Sequence, residues 1–153
     1  EYLFTDTHLL CPALDAEQPA TFSPPIVQGL LRQQLGFDGV VISDDLCMGA
    51  LSAWGDIAER GLKAFTAGVD MLLSGQKKVV GLLAALTTGI TSGTIPEQRA
   101  KEAITRIIKL KAKYPYQGRG DTAGLRQEED VAFAAELAQR VNDAASNPGD
   151  RPA

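Results

Sequence analysis

The sequence predicts an α/β fold in which short parallel strands alternate with helices. Three observations lead to this fold class. Strand-like and helix-like segments follow one another in the order strand, helix, strand, helix, strand, helix, helix. Segment 39–43 is a β-branched run without alternation, typical of a strand buried on both faces of a parallel sheet. Helix-start and helix-stop residues flank the periodic segments, which favours right-handed crossovers between parallel strands.

The first half of the chain supplies a strand, a loop, a helix and a second strand. Residues 1–9 mix apolar and threonine residues, and residues 10–22 carry two prolines and no periodicity. Ser23 before two prolines predicts a helix start. The helix places its apolar residues at helical spacing and ends at Gly36. These apolar residues are Ile26, Val27, Leu30, Leu31 and Leu35.

The second half supplies the remaining units. Asp56 is a good N-cap for a helix that stops at Gly68, and 69–73 is a second buried strand. A helix over 77–90 and another over 96–113 follow. The last of these is expected to bury a stripe of small and β-branched residues and to expose its Lys and Arg residues. The stripe comprises Ala100, Ala103, Ile104, Ile107 and Ile108.

A closed (β/α)8 TIM barrel needs about 200–250 residues, more than the 153 residues here. We therefore expect residues 1–114 to form the C-terminal portion of a barrel, about its last three βα units. The chain opens inside a predicted strand without Met, so we expect a fragment. Residues 115–126 predict a linker, 127–145 an amphipathic helix and 146–153 a disordered tail.

Composition excludes several function classes. A net charge of −4 without a basic patch argues against a nucleic-acid partner. No apolar run approaches the roughly 20 residues of a membrane span. Cys11 and Cys47 fit no metal-binding spacing and no CxxC pattern, so we expect two free thiols.

Two adjacent acids, Asp44 and Asp45, follow segment 39–43 at once. Reactive side chains in parallel α/β folds gather at the carboxyl ends of strands, so this position favours a functional site. A turn-capping role for Asp44 is the alternative. Adjacent side chains cannot both face one substrate carbon, so Asp45 is expected to support its neighbour.

Residues 36–50, GFDGVVISDDLCMGA, closely resemble the nucleophile segment of β-N-acetylglucosaminidases in glycoside hydrolase family 3. Residues 8–24 resemble the segment after the sixth barrel strand, 67–73 the eighth strand and 106–114 the closing helix. These motifs occur in the family's order and at natural spacing. The resemblance covers residues 4–114 and implies the C-terminal part of a family 3 β-N-acetylhexosaminidase barrel.

The resemblance implies that Asp44 is the nucleophile of a retaining mechanism that removes terminal β-linked N-acetylglucosamine. In this subfamily the general acid/base is a His paired with an Asp in an Asp-x-His loop after an earlier strand, which this chain lacks. The resemblance also implies no metal and no organic cofactor. A family 3 β-glucosidase is one alternative, although the Asp-Asp-Leu of residues 44–46 favours the N-acetylglucosaminidase branch. An inactive remnant, or a sugar-binding or interaction module, is another.

Four more residues are candidates. His8, the only histidine, is expected near the sugar or as a strand-end histidine with satisfied hydrogen bonds, and the Asp6-Thr7-His8 spacing leaves an acid/base dyad open. Met48 could pack against the acetamido group or simply fill the loop. Trp54 could stack on a sugar or, more in keeping with its apolar context, anchor a loop. Asp70 could support the barrel top or close a salt bridge.

The expected partners are N-acetylglucosamine-containing glycosides, including muropeptides. Unpaired strand edges also predict self-association. The subfamily is typically bacterial and cytoplasmic, with a secreted or lipoprotein form as the alternative.

Overall fold

The structure is a computed structural model that describes residues 3–75, 79–115, 118 and 128–146. The chain divides into two compact units, Glu1–Pro115 and Tyr116–Ala153. The second unit holds helix α4, Glu128–Ser146, with Val131, Phe133 and Leu137 exposed. Most of the predicted linker, and the predicted tail beyond Ser146, lie outside the described residues.

A three-stranded parallel sheet organises the first unit, as the sequence predicts. Its strands, in spatial order, are β1 (Leu3–Thr5), β2 (Val40–Asp45) and β3 (Met71–Leu73). Phe4 pairs with Val41 in one ladder, and Ile42 pairs with Met71 in the other. Asp44 and Asp45 are the last two residues of β2 and do not follow it, because Asp45 still pairs with Leu73.

Helices cover the connections between the strands. A π-helix, Pro25–Gln34, follows β1, and two 3₁₀ turns occupy Ala20–Phe22 and Gly49–Trp54. The remaining helices of this unit are α1 (Ile57–Ala67), α2 (Val79–Thr91) and α3 (Glu97–Lys113). No helix in the described part of the chain is both long enough and apolar enough to span a membrane.

The helix after Ser23 differs from the α-helix predicted there. The Leu35 N–H donates to Leu30 O at 2.9 Å, the i→i−5 bond of a π-helix. The wider turns move successive apolar residues off the stripe expected for 3.6 residues per turn, so Val27 is buried whereas Leu35 is exposed. Ser23 Oγ still accepts the Ile26 N–H at 3.3 Å, as an N-cap side chain does.

The core lies between the sheet and α1. The buried members of the cluster there are Phe22, Val41, Leu46, Leu51, Ala64 and Val69, and a second cluster comprises Phe65, Ile95, Ala100 and Ala103. The Trp54 ring meets Phe22 edge to face at a centroid distance of 5.7 Å, and Lys63 Nζ lies over the same ring. These contacts favour the loop-anchoring interpretation of Trp54.

Helix α3 differs from the sequence prediction in which of its arginines and isoleucines are buried. Arg99 is only 8% exposed, although the Lys and Arg residues of this helix were expected in solvent. Ala100 and Ala103 are buried as predicted, but Ile104 and Ile108 are exposed. The helix turns toward the sheet to bring Arg99 against Phe65 O, Val69 O and the Asp70 carboxylate, which rotates the two isoleucines outward.

Candidate functional site

The carboxyl edge of the sheet collects the polar residues that the sequence singles out. Because the strands are parallel, the residues that end or follow each of them meet at this edge. Asp6 follows β1, Asp44 and Asp45 end β2, and Gly75 follows β3 after one intervening residue. The structure thus brings together residues up to 69 positions apart in the chain, from Asp6 to Gly75.

Asp44 is half-buried, and its backbone and carboxylate are both held by hydrogen bonds. Its Oδ1 accepts the Asp45 N–H at 2.7 Å. Its own N–H donates to Asp6 Oδ1 at 3.3 Å. These two bonds fix a partly accessible carboxylate at the end of a central strand.

Asp45 joins the loops that follow β2 and β3. Its Oδ1 accepts the N–H of Gly75 and that of Cys47, each at 2.9 Å. These two donors lower the pKa of the Asp45 carboxyl below its ordinary value, Gly75 contributing most. A side chain at position 75 would run into the Asp45 carboxylate. Asp45 therefore holds the loops of the site together.

Asp6 is a buried carboxyl beneath Asp44, with 6% of its surface exposed. Burial raises the pKa of Asp6 to about 6, against the lowering effect of hydrogen bonds from the Asp44 N–H and the Thr21 hydroxyl. Thr21 Oγ1 lies 3.2 Å from Asp6 Oδ1. Oδ2 of Asp6 is buried without a hydrogen-bond partner among the described residues.

His8 has protein partners at both ring nitrogens. Nδ1 lies 2.7 Å from Thr21 Oγ1, and Nε2 lies 3.0 Å from Asp45 O. Asp6 and His8 both contact the Thr21 hydroxyl, which bridges the two side chains of the Asp-x-His segment. The contacts match the strand-end histidine with satisfied hydrogen bonds, and a role in substrate binding stays a prediction.

Met48 lies in the loop after β2 and is 42% exposed. Its N–H donates to Asp45 O at 3.0 Å, so this carbonyl accepts from both Met48 and His8. The side chain is exposed at the carboxyl edge, where contact with a ligand stays a prediction.

Thr21 also belongs to the group around Asp6 and His8, although nothing in the sequence points to it. It is fully buried 13 residues from His8, and no local pattern marks it, because its importance comes from contacts across the fold. Cys11 and Cys47 are both free. Within the described residues, no group of three or more His, Cys, Asp or Glu side chains is arranged to hold a metal ion.

Asp70 belongs to the opposite edge of the sheet and closes salt bridges there. Its carboxylate lies 2.6 Å from Arg32 Nη2, 3.0 Å from Arg99 Nη2 and 3.3 Å from Arg106 Nη1. The Val41 N–H donates to the same carboxylate at 3.0 Å. Of the two roles left open by the sequence, the structure places Asp70 in the salt bridge.

Helix-covered parallel strands, two of which carry acids at their carboxyl ends, define an α/β domain. The family model described as "Glycosyl hydrolase family 3 N terminal domain" matches residues 5–110, more than half of the chain. The chain therefore belongs to glycoside hydrolase family 3, and the resemblance seen in the sequence is confirmed.

Individual relatives are consistent with this family membership. A β-hexosaminidase of Methylobacillus flagellatus is 33% identical over 147 residues, which cover 95% of this chain and 38% of the relative. A β-hexosaminidase of Thiobacillus denitrificans is 54% identical over 66 residues, 43% of this chain and 18% of that protein. The solved family 3 β-N-acetylglucosaminidase of Paenibacillus sp. superposes with a TM-score of 0.72 at 32% identity, over 83% of this chain and 26% of its own. The chain thus spans less than half the length of each of these three relatives.

Proposed function

We propose that the protein to which this chain belongs is a retaining β-N-acetylhexosaminidase with Asp44 as its nucleophile. The observation that carries the proposal is the Asp44 carboxylate, half-buried and hydrogen-bonded at the carboxyl end of the central strand. Family membership and relatives named β-hexosaminidase support the reaction class. None of the relatives described above is named a β-glucosidase, which favours the hexosaminidase branch.

The proposed chemistry needs a carboxylate and a separate proton donor. An oxygen of ionised Asp44 attacks the anomeric carbon as the bond to the leaving oxygen breaks. The leaving oxygen keeps the electron pair and takes a proton from the general acid. Water, deprotonated by the same group, then cleaves the glycosyl ester, so the β configuration is retained.

His8 is a poor candidate for that proton donor, because both of its ring nitrogens already have protein partners. We therefore assign Asp44 alone to the bond-making step and Asp45 to supporting it. The hydrogen bonds of Asp45 to Cys47 and Gly75 hold the loop ends around the nucleophile. Met48, exposed at this edge, is proposed to border the acetamido group of the sugar.

The proposed substrates are terminal β-linked N-acetylglucosaminides, including muropeptides, and the proposed compartment is the bacterial cytoplasm. For these 153 residues taken by themselves, we also propose self-association through the sheet edges, because β1 and β3 each pair only with β2 among the described strands and expose Leu3, Phe4 and Leu73. An apparent mass that rises with concentration in light scattering would support this, whereas a constant monomer mass would contradict it.

The deciding experiment is hydrolysis of an aryl β-N-acetylglucosaminide by the longest polypeptide that carries this chain. Asp44→Ala should lower kcat/KM by several orders of magnitude, since loss of a nucleophile removes the covalent route. Asp38→Ala is the matched control, because this exposed Asp lies away from the site and, among the described residues, contacts Arg106 at 3.5 Å.

A slow fluorinated substrate should leave a sugar ester on Asp44, identified by mass spectrometry of the peptide that contains residues 36–50. Label on another residue, or unchanged turnover in Asp44→Ala, would refute the nucleophile assignment. Products of inverted configuration would refute the retaining mechanism.

A further inference from the structure

Three side chains, Asp6, Thr21 and His8, form a hydrogen-bond network that contacts the backbone of the two acids of β2. Asp6 Oδ1 accepts the Asp44 N–H at 3.3 Å, and His8 Nε2 lies 3.0 Å from Asp45 O. Thr21 Oγ1 joins the two, at 3.2 Å from Asp6 Oδ1 and 2.7 Å from His8 Nδ1. The network therefore runs from the backbone N–H of Asp44 to the backbone carbonyl of Asp45.

The number of hydrogens available for these contacts limits how the network can be protonated. Asp45 O can only accept, so His8 Nε2 carries a hydrogen and donates it. The Thr21 hydroxyl has one hydrogen but three neighbours, namely Asp6 Oδ1, His8 Nδ1 and, at 3.1 Å, Thr7 O. An ionised Asp6 beside a neutral His8 would leave these three acceptors competing for that single hydrogen.

If Asp6 and His8 together hold one more proton than the ionised and neutral forms do, the contacts of Thr21 with both side chains become hydrogen bonds in either of two arrangements. With the proton on the ring, Nδ1 donates to Thr21 and the hydroxyl donates to Asp6 Oδ1. With the proton on the carboxyl, Asp6 donates to Thr21 and the hydroxyl donates to Nδ1. The charged groups that face Asp6 are Asp44 on β2 and His8 after β1, and the burial of Asp6 favours its neutral form.

We propose that Asp6, Thr21 and His8 form a relay that shares one proton and positions the backbone of Asp44 and Asp45. Asp6 and Thr21 are then positioning residues, because they act on the site through the main chain and through His8. The positioning of a nucleophile rests on the proposed function, whereas the shared proton does not.

Nuclear magnetic resonance tests the shared proton without any substrate, so its outcome is independent of whether the chain hydrolyses glycosides. The full chain is labelled with ¹³C at the aspartate carboxyls and ¹⁵N in the imidazole ring. His8 is the only histidine, so the ring signals need no assignment, and Asp6→Asn identifies the Asp6 carboxyl signal. Both sets of signals are followed from pH 4 to pH 8.

The relay predicts that the Asp6 carboxyl signal titrates near pH 6 and that the His8 Nδ1 signal shifts over the same interval, because its hydrogen bond with the Thr21 hydroxyl changes. Thr21→Val should break this coupling and raise the Asp6 midpoint above that of the wild type, because the Thr21 hydrogen bond stabilises the ionised carboxylate. Thr21→Ser keeps the hydroxyl and should keep the coupled response.

Two results would overturn the relay. One is a wild-type chain in which the His8 Nδ1 signal does not shift while Asp6 titrates. The other is a Thr21→Val chain whose coupled response equals that of the wild type. The wild-type measurement alone decides the first, so the proposal stays testable even if Thr21→Val fails to fold.

Discussion

Asp6 and Asp45 lie at the same edge of the sheet, yet their surroundings move their pKa values in opposite directions. Asp45 accepts two backbone N–H groups, which favour its ionised form. Asp6 is buried, and the loss of water outweighs its hydrogen bonds, so its pKa rises from 3.8 to about 6. The same residue type thus holds a loop at one position and retains a proton at the other.

The raised pKa of Asp6 predicts a specific pH dependence of stability. The native state binds the proton more tightly than the unfolded chain, so this contribution is complete below about pH 3.8 and is lost as pH rises through 6. Between pH 4 and pH 7 the free energy of unfolding should fall by about 2 kcal/mol through Asp6.

Asp6→Asn removes this titration. The difference in unfolding free energy between wild type and Asp6→Asn, measured by urea denaturation, should therefore change by about 2 kcal/mol over that range. Curves that stay parallel at every pH would show that Asp6 does not carry the raised pKa.

Helix α1 shows how local signals define an element. Asp56 accepts the Glu59 N–H at 2.9 Å, while Glu59 Oε2 accepts the Asp56 N–H at 2.8 Å, which completes a capping box. Gly68 ends the helix with φ of +122°, a backbone conformation that side chains rarely adopt. The start and stop predicted from the sequence are confirmed, because both depend on residues within one helical turn.

Asp56→Ala should lower the free energy of unfolding by about 1 kcal/mol, the usual effect of losing an N-cap side chain. Chemical denaturation at pH 7 measures the change, with Asp56→Ser as a variant that keeps the cap and should recover most of it. Equal loss in both variants would mean that the cap bond contributes little here.

At the scale of the whole first unit, Asp70 joins three elements at the amino edge of the sheet. Arg32 reaches it from the π-helix, Arg99 and Arg106 reach it from α3, and the Val41 N–H reaches it from β2. Within the described part of the chain, Arg32 Nε and Arg99 Nη1 are buried without hydrogen-bond partners, so the cluster is not fully satisfied there. Its stability therefore depends on the single central carboxylate.

Asp70→Asn should destabilise the chain by about 3–5 kcal/mol, because it leaves buried arginines without their counter-charge. Urea unfolding measures the loss, and Glu97→Gln is the control, since its pair with Lys101 is exposed and worth at most about 1 kcal/mol. A loss for Asp70→Asn no larger than that of the control would contradict a central role.

The amino-acid sequence alone determined the features that depend on neighbouring residues. It predicted the alternation of strands and helices, the ends of α1, and two acids directly after the strand 39–43, both of which the structure includes in β2. The long motif of residues 36–50 by itself indicates glycoside hydrolase family 3. Periodicity, capping and motif order all act over short distances along the chain, so they can be read without the fold.

Only the tertiary structure decided the roles that depend on distant residues. The sequence around Arg99 is typical of a solvent-exposed helix face. Arg99 is nevertheless buried, because it pairs with Asp70, which lies 29 residues away in the sequence and 3.0 Å away in space. Thr21 joins Asp6 and His8 only after the loop folds back on β1. Burial and hydrogen bonding are properties of the packed chain, and they decide which carboxylate holds a loop, which holds a proton and which pairs with arginine.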